Sequence, residues 1–121
     1  AMRAQRRAFL RREYALMQAL FELRNKMPVV ALADGYVFGA GAGLFMAASH
    51  RIATPRVSFA MPECILGIVP DCGATDFLAT HLPGHLDRWA VLTGARLSTA
   101  QMAATGLCTH VCEADAAVIK T

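Results

Sequence analysis

Between Pro28 and the Asp34-Gly35 pair lies a run of five apolar residues, Val29-Val30-Ala31-Leu32-Ala33. A run this short and this uniformly apolar suits a strand buried on both faces, and such strands belong to parallel sheets covered by helices. The punctuation agrees. Pro28 stops the preceding helix, because a proline drives the residue before it out of the α region, and Asp-Gly signals a turn. Upstream, residues 3–26 read as a helix: Leu10, Tyr14, Met17, Phe21 and Arg24 fall at i, i+4, i+7, i+11 and i+14, an apolar stripe that ends in a charge.

Downstream the same alternation continues. The stretch Gly39-Ala40-Gly41-Ala42-Gly43 leads into a helix centred on Leu44–Ala48. Residues 51–54 and 57–60 read as strands around the Pro55-Arg56 turn, followed by a loop from Met61 to Gly73. Residues 74–81 and 85–93 read as helices separated by Pro83-Gly84. Ser98 or Thr99 caps a helix to Thr105 that Gly106 closes. Residues 107–111 suit a short strand and 113–120 a last helix. Strands and helices alternate throughout, so the fold class is α/β.

A chain of 121 residues is one small domain. At 55% hydrophobic and 17% charged residues it is no disordered segment. It is also more apolar than a self-contained domain of this length requires, which implies apolar faces covered by a longer polypeptide, by other subunits, or by both. The longest stretches without Asp, Glu, Lys or Arg, residues 35–50 and 97–112, are interrupted by glycines or hydroxyls and fall short of the ~20 residues of a spanning helix. No membrane partner is expected. The arginine-rich start lacks the apolar core of a secretory signal.

Residues 1–26 hold seven basic residues (Arg3, Arg6, Arg7, Arg11, Arg12, Arg24, Lys26) against Glu13 and Glu22, whereas the remainder is slightly acidic. A solvated helix face is the plainest reading of this asymmetry; contact with RNA or with the phosphates of coenzyme A is the alternative. Cys64 and Cys72 sit among apolar residues and behave as small hydrophobes. Cys108 and Cys112 are four apart, with no second ligand pair at a zinc-finger distance, so no metal site is expected and all four thiols are read as reduced. His81 and His85 are four apart, but Pro83-Gly84 between them breaks any shared helical face, His50 and His110 stand alone near strands, and Trp89 reads as core.

Two features could carry chemistry. Glycines between a strand and a helix let a backbone approach a ligand, and free N–H groups at the helix start favour negative charge. The pattern lacks the spacing of a dinucleotide fingerprint, and close packing through small residues explains it as well. The second feature is a pair of acids, Glu63 after Met61-Pro62 and Asp71 after Pro70, framing an uncharged segment. Two acids so placed are costly to bury unless paired or used. Structurally, Glu63 could instead cap a backbone N–H, and Asp71 could N-cap the next helix.

Taken together, Pro28–Gly35, Phe38–Leu44, His50–Thr54, Phe59–Glu63, Leu66–Gly73 and Leu92–Leu97 resemble the crotonase (enoyl-CoA hydratase/isomerase) superfamily. Within it they are most similar to 3-hydroxyisobutyryl-CoA hydrolase and its relatives. The resemblance covers about residues 9–112 and implies a crotonase (ClpP/crotonase-like) spiral fold of short strands with flanking helices. Of that fold this chain would be a central fragment, one partial domain over residues 1–121, without the family's N-terminal strands and C-terminal helices.

The resemblance also implies roles. An acyl-CoA thioester is held by an oxyanion hole, one of whose N–H donors falls on Ala40, where the family has glycine. Phe38, Gly39 and Gly41 fall in the substrate-binding segment. Hydratases use two glutamates, of which one matches Glu63 and the other falls at Gly43. The hydrolases pair the acids that match Glu63 and Asp71. Thioester hydrolysis is therefore the implied activity, in valine catabolism, with coenzyme A as part of the substrate and no other cofactor. A larger polypeptide or assembly and a mitochondrial location are implied as well. A structural homologue in the small subunit of the mitochondrial ribosome, meeting RNA and protein through the basic 3–26 helix, is the alternative. An enoyl-CoA hydratase or isomerase is a further one, weakened by Gly43.

Overall fold

The computed structural model describes residues 2–113. The helix expected over 113–120 lies essentially outside them. The long first helix, α1, spans Met2–Leu23 and gives way to an irregular stretch before Pro28. Strand β1 (Val30–Ala33) and strand β2 (Tyr36–Phe38) follow, joined at a sharp corner by Gly35 in the left-handed region. Helix α2 (Ala40–Ala47) comes next, then β3 (His50–Ala53) and β4 (Ser58–Ala60). A 3-10 helix over Pro62–Leu66 leads to α3 (Ala74–His81) and α4 (Leu86–Thr93). The two-residue strand β5 (Leu97–Ser98), α5 (Thr99–Thr105) and the two-residue strand β6 (His110–Val111) complete the order.

The strands form two three-stranded sheets, β1-β3-β6 and β2-β4-β5. β1 pairs parallel with β3 (Val30 opposite His50) and β2 parallel with β4 (Tyr36 opposite Ser58). The two strand pairs thus turn the same corner, one stacked on the other. Side chains and backbone lock the stack: the Thr54 N–H donates to the Ala33 carbonyl and the Ser58 N–H to that of Gly35. Asp34 accepts from the Thr54 hydroxyl at 2.6 Å and from the Arg56 guanidinium at 2.6 and 3.0 Å. Because each turn of the chain rests on the one before it, the architecture is a spiral of short strands.

One core fills the space between the sheets and α2, α3 and α5. Phe59, Met46, Met61, Leu78, Met102 and Leu107 are its largest fully buried side chains, each contributing about 1.5–3 kcal/mol by leaving water. Ser98 and Gln101 start α5 as a reciprocal capping box, and Gly106 ends it in the left-handed region.

Several expectations need correction. β1 buries only one face, through Ala33 and in part Ala31, while Val30 and Leu32 stand exposed. It lies at the sheet edge, and that face is only partly covered. Trp89 is 46% exposed rather than core. The strand expected over 107–111 shrinks to His110–Val111, because Leu107 and Cys108 are drawn into the core. β2 is absent from the sequence reading, since three residues between a turn and a glycine give too little alternation to detect. Finally, α2 begins at Ala40, taking the glycines inside the helix despite their poor propensity. At Gly43 the close approach of Cys72 and Met17 leaves no room for a side chain.

Candidate active site

Helix α2 organises the site. Its N-cap, Gly39, has φ 52° and ψ −123°, a conformation that L side chains rarely adopt. Ala40, the first helical residue, is exposed, and its N–H is one of those a helix cannot satisfy within itself. No acceptor among the described residues takes it. Glu63 arrives from the 3-10 helix, where Pro62 sets the first turn. A Cβ on Gly39 would lie 3.2 Å from Glu63 Oε1, so this carboxyl rests against the N-terminus of α2.

Glu63 is 7% exposed, and its Oε2 has no hydrogen-bond partner. Burial pushes its pKa above the ordinary carboxylate range. Its own backbone N–H opposes that shift and the charge of Asp71 adds to it. Gly39→Ala is therefore expected to destabilise the chain by about 1–3 kcal/mol through backbone strain, and to displace the Glu63 carboxyl. Denaturant unfolding measures the first effect. A Gly39→Ala variant as stable as the parent would refute it.

Asp71 is half-buried and lies in a different setting. It lines a groove of about 1080 Å³ between α1, the end of α2, and α3. Tyr14 of α1 donates its hydroxyl to Asp71 Oδ2 at 2.8 Å. That bond, with burial and the carboxylate charge behind it, raises the Tyr14 phenol to about 12. The neighbouring Cys72 thiol is likewise pushed up to about 12, first by burial and then by its hydrogen bond to Asp71. The Asp71 side chain does not N-cap α3. Gly73 holds the cap position, and it is the Asp71 carbonyl that accepts from Ala74.

Gly43 is the contact point between these two settings. A Cβ there would meet Cys72 Cβ at 2.9 Å, Cys72 Sγ at 3.1 Å and Met17 Cε at 3.1 Å. Cys72 itself has φ 53°, the only non-glycine residue among those described with positive φ. Met17 and Cys72 thus occupy the volume in which any side chain at position 43 would have to sit, and α1 and the Asp71 loop both close on α2 there.

The remaining candidates are spread around α2. Gly41 is exposed, with open space where a Cβ would go, and borders a small cavity of about 270 Å³ between β1, β2 and α2. Phe38 closes β2 half-buried, its ring 5.2 Å from that of Tyr36, with the Arg96 guanidinium 5.2 Å above it. The structure therefore sets the Glu63 carboxyl against Gly39, which immediately precedes Ala40 at the start of α2, and the charge of Asp71 bears on it. Phe38 and Gly41 lie on the β2 side of the helix. Sequence reasoning misses Tyr14, which reads as part of an apolar stripe, and Arg51, which reads as a strand residue. The polar tip of a tyrosine on that stripe, and a charge in an otherwise apolar strand, are the available signals.

The enoyl-CoA hydratase/isomerase family profile matches residues 1–118. The chain belongs to the enoyl-CoA hydratase/isomerase family. Its fold is that of the crotonases: an enoyl-CoA hydratase/isomerase from Cupriavidus metallidurans superposes with a TM-score of 0.78 at 27% identity, over 91% of this chain and 41% of that one. Among relatives, probable 3-hydroxyisobutyryl-CoA hydrolase 2 of Arabidopsis thaliana is 49% identical over 80% of this chain. The mitochondrial 3-hydroxyisobutyryl-CoA hydrolase of Xenopus tropicalis is 40% identical over 88% of it. Small ribosomal subunit protein mS47 of Arabidopsis thaliana is 40% identical over 70% of it. These matches cover 25%, 27% and 20% of the respective relatives, so the chain spans about a quarter of their length.

Proposed function

We propose that this chain is the central part of a mitochondrial acyl-CoA thioester hydrolase acting on 3-hydroxyisobutyryl-CoA or a close analogue. The observation that carries the reading is Glu63: an acid buried with one oxygen unpartnered, placed against the N-terminus of α2. Such a group is a burden to a protein that only needs to fold. It is useful if a substrate completes it. With a thioester carbonyl oxygen at the Ala40 N–H, the carbonyl carbon lies on the Glu63 side. A carboxylate whose pKa is raised is a better base. Glu63 then takes a proton from water as the water oxygen bonds to the carbon. The Ala40 N–H and the positive end of α2 stabilise the resulting oxyanion. The C–S bond breaks next, and the departing coenzyme A thiolate takes up the proton that Glu63 removed from water, relayed on the Asp71 side, which returns Glu63 to its carboxylate form. Coenzyme A is part of the substrate, and the reaction calls for no other cofactor.

Position 43 supports hydrolysis over hydration. A second glutamate there has no room beside Cys72 and Met17, which removes the two-glutamate route. A non-catalytic role in a ribosomal small subunit is the second reading, favoured by the mS47 relative and by exposed Arg3, Arg6, Arg7, Arg11 and Arg12 on α1. The deciding experiment follows free thiol released from 3-hydroxyisobutyryl-CoA by the naturally expressed polypeptide that carries this chain. Glu63-dependent turnover is expected. Absence of thioester cleavage, together with co-sedimentation with ribosomal small subunits, would overturn the enzyme reading in favour of the second.

A further inference from the structure

We propose that Tyr14 positions Asp71 for the thioester reaction, so that α1 supplies a working part of the site. The inference rests on the hydrolase reading above. Tyr14 stands 57 residues from Asp71 in sequence, yet its hydroxyl donates to Asp71 Oδ2 at 2.8 Å. The bond lies in the open groove, with Tyr14 43% exposed. A solvent-exposed hydrogen bond adds little to stability, since water replaces either partner readily. What it does provide is direction. An aspartate on a loop has two free side-chain torsions, and a donor on a neighbouring helix fixes one oxygen and thereby the heading of the other. The Cys72 thiol bears on the same carboxylate, and Met17, one turn along α1, is wedged against α2 at Gly43. The phenol is therefore carried by a helix whose seat is set three residues away.

Removing the hydroxyl while keeping the ring leaves the packing of α1 intact, so Tyr14→Phe in the naturally expressed polypeptide is the direct test. Hydrolysis of 3-hydroxyisobutyryl-CoA should show kcat reduced about 10- to 100-fold, the scale of a misplaced group near the reacting centre, with KM within about twofold. The double variant Tyr14→Phe/Asp71→Asn should be no slower than Asp71→Asn alone, because a residue that acts through another adds nothing once that other is gone. Alkaline absorbance titration gives an activity-independent readout: the phenol lost in Tyr14→Phe should be the one titrating near 12, and Asp71→Asn should bring it down. An unchanged kcat in Tyr14→Phe beside an impaired Asp71→Asn would overturn this inference and leave the hydrolase reading standing. So would losses that add in the double variant. A parent polypeptide that cleaves no thioester would overturn the hydrolase reading, and this inference with it.

Discussion

In the proposed hydrolase, Glu63→Gln is expected to lower kcat by about 10²–10⁴ and at the same time to raise stability. The amide keeps the shape of the side chain and cannot take a proton from water. Stability moves the other way because the parent carboxyl is buried, with Oε2 unpartnered, and its pKa lies above the ordinary range. The folded chain therefore holds the Glu63 proton more tightly than the unfolded chain does. Ionisation costs nothing extra below the ordinary carboxylate pKa. As pH rises from there through the raised folded value, stability falls, and the loss is complete above it. Glutamine removes that slope. The variant should be more stable than the parent at neutral pH, with a higher Tm, and match the parent in acid. Thioester assay and thermal unfolding across pH 4–8 check both halves. A variant that is inactive and also less stable at neutral pH would show that Glu63 serves the fold.

The second large effect is purely structural. Arg51→Ala should destabilise the chain by about 3–5 kcal/mol, enough to unfold a marginal domain. Arg51 is 8% exposed, and its guanidinium donates to the carbonyls of Leu107 at 2.7 Å, Ala48 at 3.1 Å and Gly106 at 3.2 Å. It also lies over the ring of Phe77 at 5.1 Å. Burial and the charge of Arg24 lower its pKa, and the ring of carbonyls offsets that cost. Its loss strands three acceptors and opens a cavity. Arg51→Lys should recover only part, because an ammonium cannot span the three directions of the fork. Denaturant titration ranks the three proteins, and equal midpoints for the parent and the alanine variant would refute the bracing role.

What the sequence shows well is whatever local chemistry decides. Pro83-Gly84 and Gly106 end helices as expected, α3 spans Ala74–His81 as read, and of the two caps offered, Ser98 or Thr99, it is Ser98 that starts α5. What it shows poorly depends on contacts between distant segments. Nothing near Gly43 announces that Cys72 and Met17 will press on it, so the glycines look like an approach to a helix rather than its first turns. The exposed face of β1 is hidden for the same reason, since an apolar run states what a strand wants covered and not what covers it. Glu63 is legible as a candidate because an acid after Met-Pro amid apolar residues is costly on any account. Tyr14 is not, since one hydrogen bond at a stripe's edge leaves no periodic trace.

The shallow seating of α1 bears on how this site would fail on warming. Of its 22 residues only Met17 is buried, and segments held by few buried apolar contacts open locally, well before the global transition. The core around Phe59 and Leu78 includes no residue of α1. On the proposed mechanism the Asp71 carboxylate takes its heading from that helix, through Tyr14. Chemistry and architecture therefore have separate thermal limits: the molecule can fall silent while still folded, and recover on cooling, as a single helix lifts from its seat and returns.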